Sequence, residues 1–425
     1  MRVVHLSFVD SSSGGGGVSA TMRIHLALRS HGVDSELVVD EMKGSFPGVR
    51  LAGHPKWSWA WRRLARIKLH SLVRKLHRVR TTFWADFMGA PKAALCRAVR
   101  GANVVNLHWV GGYVTSAAIR AIVRSSGAPV VWTLMDIAPL TGGCHYALGC
   151  NGYIRRCGRC PQLNSSLAHD LSSWSLGRKQ RLLPLHRLTV VSPTSWVHAR
   201  VEESSLFGRC RNRLIPLAIS PEIRRMAKNE ARVLLGLPGD KRIVFFGAAS
   251  LDEERKGGAL FRAAIDALSA RLDPRDREST CVTLVGRSEK PEWARLSLPT
   301  LRLPYIQGDK RLAALYSAAD VVACPSIEDA GPMIIPEAMT CGTPVVAFET
   351  GGAPDLVETG VTGHLARCFD PVDFARGLHD VLVSSRYEEI CDRAQRAASA
   401  RHDAAGVAAQ YAALYEEVTG LERED

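Results

Sequence analysis

Acidic residues are the minority charge in this chain: 42 Asp and Glu stand against 55 Lys and Arg, a formal net charge of +13 at pH 7. A basic surface can face nucleic acid, anionic lipid or phosphorylated small molecules, and charge alone does not choose among them. Long apolar runs are missing as well. No stretch approaches the ~18 consecutive apolar residues of a membrane span. The opening segment Met1–Asp10 reaches an Asp too soon to serve as the apolar region of a signal peptide. The expected location is therefore cytoplasmic. In that compartment the 11 cysteines read as reduced thiols rather than as a disulfide framework. There is no internal repeat, no low-complexity segment beyond one glycine run, and no nucleic-acid recognition motif, which makes nucleic acid an unlikely partner.

What is present fits an α/β chain. At 425 residues two domains are the natural expectation, and 46% hydrophobic content supports a sizeable core. Val3–Phe8 reads as a strand, followed by the glycine run Gly14–Gly17, a helix over Val18–Ser30 and a strand over Glu36–Val39. Gly15, Gly16 and Gly17 let backbone N–H groups approach a ligand closely, although the run could equally be a flexible loop. Further strands are expected at Val104–Trp109, Pro129–Leu134, Leu188–Val191, Ile243–Phe246 (ended by Gly247) and Val282–Val285. The pattern from Asp370 to Arg393 is helical, and Val407, Tyr411 and Leu414 space a last helix.

The chain is organised around Val321–Glu358. Val321–Ala323 is a buried strand, a turn holds Gly331 and Pro332, Met333–Thr340 is a helix, and Val345–Phe348 is a second strand. Ligands in parallel α/β sheets sit at the carboxyl ends of strands, against helix N-termini that favour anions. Two acids flank the first loop, Asp329 and Glu337. Carboxylates there can accept hydrogen bonds from hydroxyl groups. Phosphate and polyol together describe a nucleotide sugar. Arg255 and Lys256, entering a helix at Gly257-Gly258, are a plausible diphosphate clamp. Each acid could instead be a helix cap or a surface group, and the basic pair a solvated turn.

This stretch resembles the donor-binding motif of the family 4 retaining glycosyltransferases. The match is carried by Pro325, Ser326, Pro332, Glu337, Ala338, Met339, Gly342, Pro344–Ala347, Gly351, Gly352, Pro354, Gly360 and Gly363. In the first half, Trp132-Thr133-Leu134, Thr141–Tyr146 and Cys157–Pro161 resemble a subgroup of colanic-acid and exopolysaccharide biosynthesis. The resemblance implies two Rossmann-like domains facing across a cleft, the GT-B architecture. Residues 1–218 would form the acceptor domain, 219–404 the nucleotide-sugar domain, and 405–425 a helix crossing back to the first. It also implies transfer of a sugar from a nucleotide-diphosphate sugar to a glycan or lipid-linked acceptor, without a catalytic metal. Arg255 and Lys256 would neutralise the diphosphate and Glu337 would bind the ribose. Asp329, with the N–H groups of Gly331 and Met333 beside Pro332, would hold the sugar hydroxyls. The glycine loop would lie near the donor phosphate. Four positions depart from the family: Asp329 and Asp355 replace Glu, Met135 replaces a His aimed at the donor, and Ala248 replaces an Arg for which Arg255 is the substitute. His145 or His108 would compensate for Met135.

Two features lie outside that frame. Residues 56–80 are cationic and free of acids, with tryptophans near one end and rough helical periodicity. They read as a surface helix for an anionic membrane, on the inner face of the plasma membrane, or as an ordinary solvated face. Cys144, Cys150, Cys157 and Cys160 form C-x5-C-x6-C-x2-C, which suits a structural zinc. A redox pair at Cys157 and Cys160, or four unrelated core cysteines, are the alternatives. Other functions remain open: an epimerase or hydrolase of the same fold, or a non-catalytic, zinc-stabilised basic protein binding membrane or nucleic acid.

Overall fold

The computed structural model describes residues 1–10, 16–53, 60–65, 67, 68, 71, 82–288 and 290–420. Most of the cationic stretch 56–80, and Gly15, lie outside the described residues. The chain divides into two compact units, one of residues 1–217 and 405–425, the other of residues 218–404.

The sheet of the first unit contains β1 (Arg2–Val9), β2 (Asp34–Glu41), β3 (Val49–Leu51), β4 (Val104–Leu107), β5 (Val130–Thr133), β6 (Leu188–Ser192) and β7 (Arg211–Leu214), in the order β3-β2-β1-β4-β5-β6-β7. Every pairing is parallel. The sheet of the second unit contains β8 (Arg242–Ser250), β9 (Thr280–Arg287), β10 (Thr300–Leu303), β11 (Val321–Cys324), β12 (Val345–Phe348) and β13 (Gly363–Ala366), in the order β10-β9-β8-β11-β12-β13. It too is parallel throughout. Strands covered on both faces need unbroken apolar runs. β11 and β12 meet that need, while β4 and β5 are as fully buried but each carries one polar residue, Asn106 and Thr133. Both sheets are doubly wound, so each has a switch point where the strand order reverses, between β1 and β4 and between β8 and β11.

The elements correct the sequence reading in three places. Gly16 and Gly17 form the first turn of the helix Gly16–Ser30 rather than an open loop. Gly247 does not end β8, which continues to Ser250 with an irregularity in its pairing. The helical pattern read from Asp370 to Arg393 is divided into two helices, Pro371–Leu382 and Tyr387–His402. Asp370 caps the first by accepting from the N–H groups of Val372 and Asp373.

The helix Ala404–Thr419 belongs to the first unit and buries Tyr411 and Tyr415. Their hydroxyls meet Thr133 Oγ1 at 3.1 Å and Asn106 Nδ2 at 2.7 Å, so the helix is held by polar bonds as well as apolar contact. In the second unit Phe246 stacks between Phe261 and Trp293, and the Trp293 indole N–H donates to Asp252.

Candidate functional site

Three charged residues of the second unit meet at its switch point. Arg255 and Lys256 lie on the loop after β8, and Asp329 lies on the loop after β11. Glycine makes their approach possible. Gly257 sits at φ +72°, and a Cβ there would collide with the Pro325 carbonyl oxygen. Gly351 sits at φ +58°, where a Cβ would meet the Asp329 backbone. The Ile327 N–H donates to the Arg255 carbonyl at 2.7 Å, which ties the two loops together.

Asp329 is buried, and its Oδ2 pairs with Lys256 Nζ at 2.6 Å and Arg255 Nη1 at 3.0 Å. Burial alone would push this carboxyl up. The two cations and the Gly331 N–H overcome it and hold the group at about 2. Arg255 Nε also donates to Glu253 Oε1 at 2.6 Å, so the two cations and two carboxylates carry no net charge. An ammonium has three donors and a guanidinium five, so Asp329 exhausts neither cation. Gly331, Pro332 and Met333 follow in the turn, and Met333 immediately precedes the helix Ile334–Thr340 without a side-chain cap. Glu337 is buried on that helix and accepts a 2.7 Å hydrogen bond from the Tyr316 hydroxyl. Asp355 instead pairs with Arg401 at 2.8 Å, and Ala248 lies on β8.

At the switch point of the first unit, His108 follows β4 and bonds His5 on β1, Nε2 to Nδ1, at 2.8 Å. Burial, assisted by the nearby His25, pushes His108 down to about 3, so it is neutral at physiological pH. Met135 follows β5 and faces the first helical turn, where a Cβ on Gly17 would stand 3.2 Å from its own Cβ. His145, further along the same connection, is buried and pairs through Nδ1 with Asp136 Oδ2 at 2.7 Å. The Trp109 indole N–H donates to the same carboxylate at 3.0 Å. Burial pushes Asp136 up, and the His145, Ala138 and Trp109 partners bring it below its ordinary value. Asp136 therefore fixes the ring of His145, a pairing that sequence spacing does not reveal. The sequence reading also missed Tyr316 as the partner of Glu337 and missed Asp86 altogether.

Cys144, Cys150, Cys157 and Cys160 line one small cavity, and all four are free thiols. The structure does not assemble them into the tetrahedral zinc site expected from their spacing. Among the described residues, no three His, Cys, Asp or Glu side chains are grouped to hold an ion. Cys150 Sγ accepts from the Gly152 N–H at 3.4 Å, and the backbone of Cys144 forms an isolated antiparallel bridge with Phe83.

Two doubly wound parallel sheets with this strand order define the class: the chain has the fold of the GT-B glycosyltransferases. It superposes on the sucrose-phosphate synthase of Thermosynechococcus elongatus with a TM-score of 0.66, covering 99% of this chain and 100% of that one at 18% identity. The Anabaena protein HepE in complex with UDP-glucose gives 0.62, covering 98% and 100% at 19% identity. At such identities these likenesses are of fold. Residues 240–384, which hold Arg255, Lys256, Asp329 and Glu337, match the family Glycosyl transferases group 1. A D-inositol 3-phosphate glycosyltransferase of Streptomyces bingchenggensis is 37% identical over 162 residues, 35% of this chain and 34% of that protein. A protein of the same name from Thermobifida fusca is 31% identical over 166 residues, 36% of this chain and 38% of that protein. The match spans about a third of the length of these relatives.

Proposed function

We propose that the chain is a retaining glycosyltransferase that moves a sugar from a nucleotide-diphosphate sugar to a hydroxylated acceptor, a glycan or a lipid-linked glycan. The observation that carries this reading is the convergence of Arg255, Lys256 and Asp329 at a switch point within a group 1 glycosyltransferase segment. An incoming diphosphate accepts hydrogen bonds from Arg255 and Lys256. It competes with Asp329 for them, which releases that carboxylate toward the sugar hydroxyls. The two cations then stabilise charge as it develops on the leaving group. Glu337, with one oxygen engaged by Tyr316, binds the ribose. The N–H groups of Gly331 and Met333 assist Asp329.

The resemblance of Thr141–Tyr146 and Cys157–Pro161 to the exopolysaccharide subgroup supports polysaccharide assembly as the setting. The names of the relatives support a small cyclic polyol as an acceptor unit. A peripheral place on the inner face of the plasma membrane is supported by the basic stretch 56–80. Within its described part, Trp61, Leu64 and Ile67 are exposed. No helix among the described residues is long and apolar enough to cross a membrane.

The test is incubation with nucleotide sugars and a panel of glycan acceptors, followed by proton NMR of the products. A glycoside with the donor's anomeric configuration supports the reading. Release of free sugar or an epimer, with no acceptor product, favours a hydrolase or epimerase of the same fold.

A further inference from the structure

The first unit contains a pocket open to solvent, with about 580 Å³ of space between its atoms, open solvent included. Its lining includes Trp84, His108, Trp109 and Trp132, the pair Asp136–His145, and Asp86. Four of these residues bury a polar atom that has no hydrogen-bond partner: Asp86 Oδ2, His108 Nδ1, Trp132 Nε1 and His145 Nε2. The first of them lies 3.5 Å from Arg178 Nε, an ionic neighbour. The residues themselves are 8%, 2%, 5% and 4% exposed. Leaving such atoms unsatisfied in a folded chain is costly. Their grouping on one cavity points to a ligand that completes them.

The chemistry of the four atoms describes that ligand. Trp132 Nε1 can only donate. The Asp86 carboxylate accepts. His145 Nδ1 is engaged by Asp136 Oδ2, which leaves Nε2 as the ring atom open to a ligand. Hydroxyl groups both donate and accept, and so they suit a mixed set. The charge on the wall argues against an anion. Asp86 and Asp136 both line the cavity. Among the described residues the one Lys or Arg that lines it, Lys179, already donates to the carbonyls of Ala138 at 2.6 Å and Thr141 at 2.8 Å. The indole rings among the lining residues suit the C–H face of a ring.

We propose that this cavity binds an uncharged polyhydroxylated ring, the acceptor sugar or cyclitol, and that His145, oriented by Asp136, shares a hydrogen bond with one of its hydroxyls. This rests on the transferase reading and narrows it: the unit bound here carries no phosphate.

The test uses the full chain without donor. Calorimetric titration compares glucose, mannose, N-acetylglucosamine and myo-inositol with glucose 6-phosphate and myo-inositol 3-phosphate. The expected result is saturable binding of at least one neutral ring, weakened about tenfold when its phosphate is substituted. His145→Gln and Trp132→Phe, on different segments, should each weaken it by about tenfold, the worth of one hydrogen bond. Tighter binding of the phosphates, indifference to both substitutions, or no neutral ring bound would overturn the proposal. Nucleotide-sugar binding is measured on the same samples. If it persists while the neutral rings fail, only the cavity assignment falls. If the rings bind and no nucleotide sugar does, the transferase reading falls.

Discussion

The pairing of Asp329 with Lys256 makes a quantitative prediction. A carboxyl held at about 2 instead of 3.8 corresponds to roughly 2.5 kcal/mol of stabilisation at neutral pH, at about 1.4 kcal/mol for each tenfold change in proton affinity. The sign follows from the direction. A depressed carboxyl contributes fully above about pH 4 and loses its contribution as the pH falls toward 2. Two cations share the effect, and both keep some solvent exposure, 22% for the Lys256 side chain and 17% for that of Arg255. Removing Lys256 should therefore cost about 1–2 kcal/mol, below the ~3–5 kcal/mol of breaking a fully buried pair. The assay is urea denaturation at pH 7 followed by circular dichroism, on Lys256→Met, Asp329→Asn and the double variant. Lys256→Met should cost about 1–2 kcal/mol in the native background. In the Asp329→Asn background it should be neutral or slightly stabilising, because two like charges are then relieved of one another. An equal cost in both backgrounds would refute the coupling, and with it the idea that Asp329 holds the cations in place.

Three other outcomes follow from the geometry. Tyr316→Phe removes the hydroxyl that meets Glu337 and should lower stability by about 1–3 kcal/mol, with weaker nucleotide-sugar binding by calorimetry; unchanged affinity would separate Glu337 from the donor. Gly257→Ala forces a side chain into the Pro325 carbonyl at a positive φ, so it should lower the melting temperature by several degrees, for about 2 kcal/mol or more, and impair donor binding. Metal analysis of the purified chain should give well under one equivalent of zinc, since the four thiols are not grouped as a cage; a full, tightly held equivalent would show that they close on the ion.

Much of the architecture could be read from the sequence because buried parallel strands write themselves as continuous apolar runs. Val321–Cys324 and Val345–Phe348 are of this kind, and Val104–Leu107 and Val130–Thr133 are nearly so, each with one polar residue. The edge strands were not readable. β7, Arg-Asn-Arg-Leu, is largely exposed, and β3 and β10 are short and only partly covered. The break after Leu382 was hidden because Ser384 and Ser385 are weaker helix breakers than glycine or proline. Arg255, Lys256, Asp329 and Glu337 were visible because their spacing around glycines and prolines is local. The pairings that define their environment are not local. Tyr316 reaches Glu337 and Asp136 reaches His145 through tertiary packing. Asp86, which accepts the Ser116 N–H at 2.8 Å, has no pattern around it.

The central claim is that the second unit binds a nucleotide-diphosphate sugar through Lys256 and Glu337. The most direct measurement is thermal stabilisation of the full chain by UDP-, GDP-, ADP- and CMP-sugars, with Lys256→Ala and Glu337→Ala measured in parallel. A ligand present at about a hundred times its dissociation constant should add about 2.7 kcal/mol of stability. The account predicts a selective rise in melting temperature with one nucleotide class that is lost in both variants. No shift with any nucleotide sugar near millimolar concentration, or an equal shift in the wild type and both variants, would contradict it.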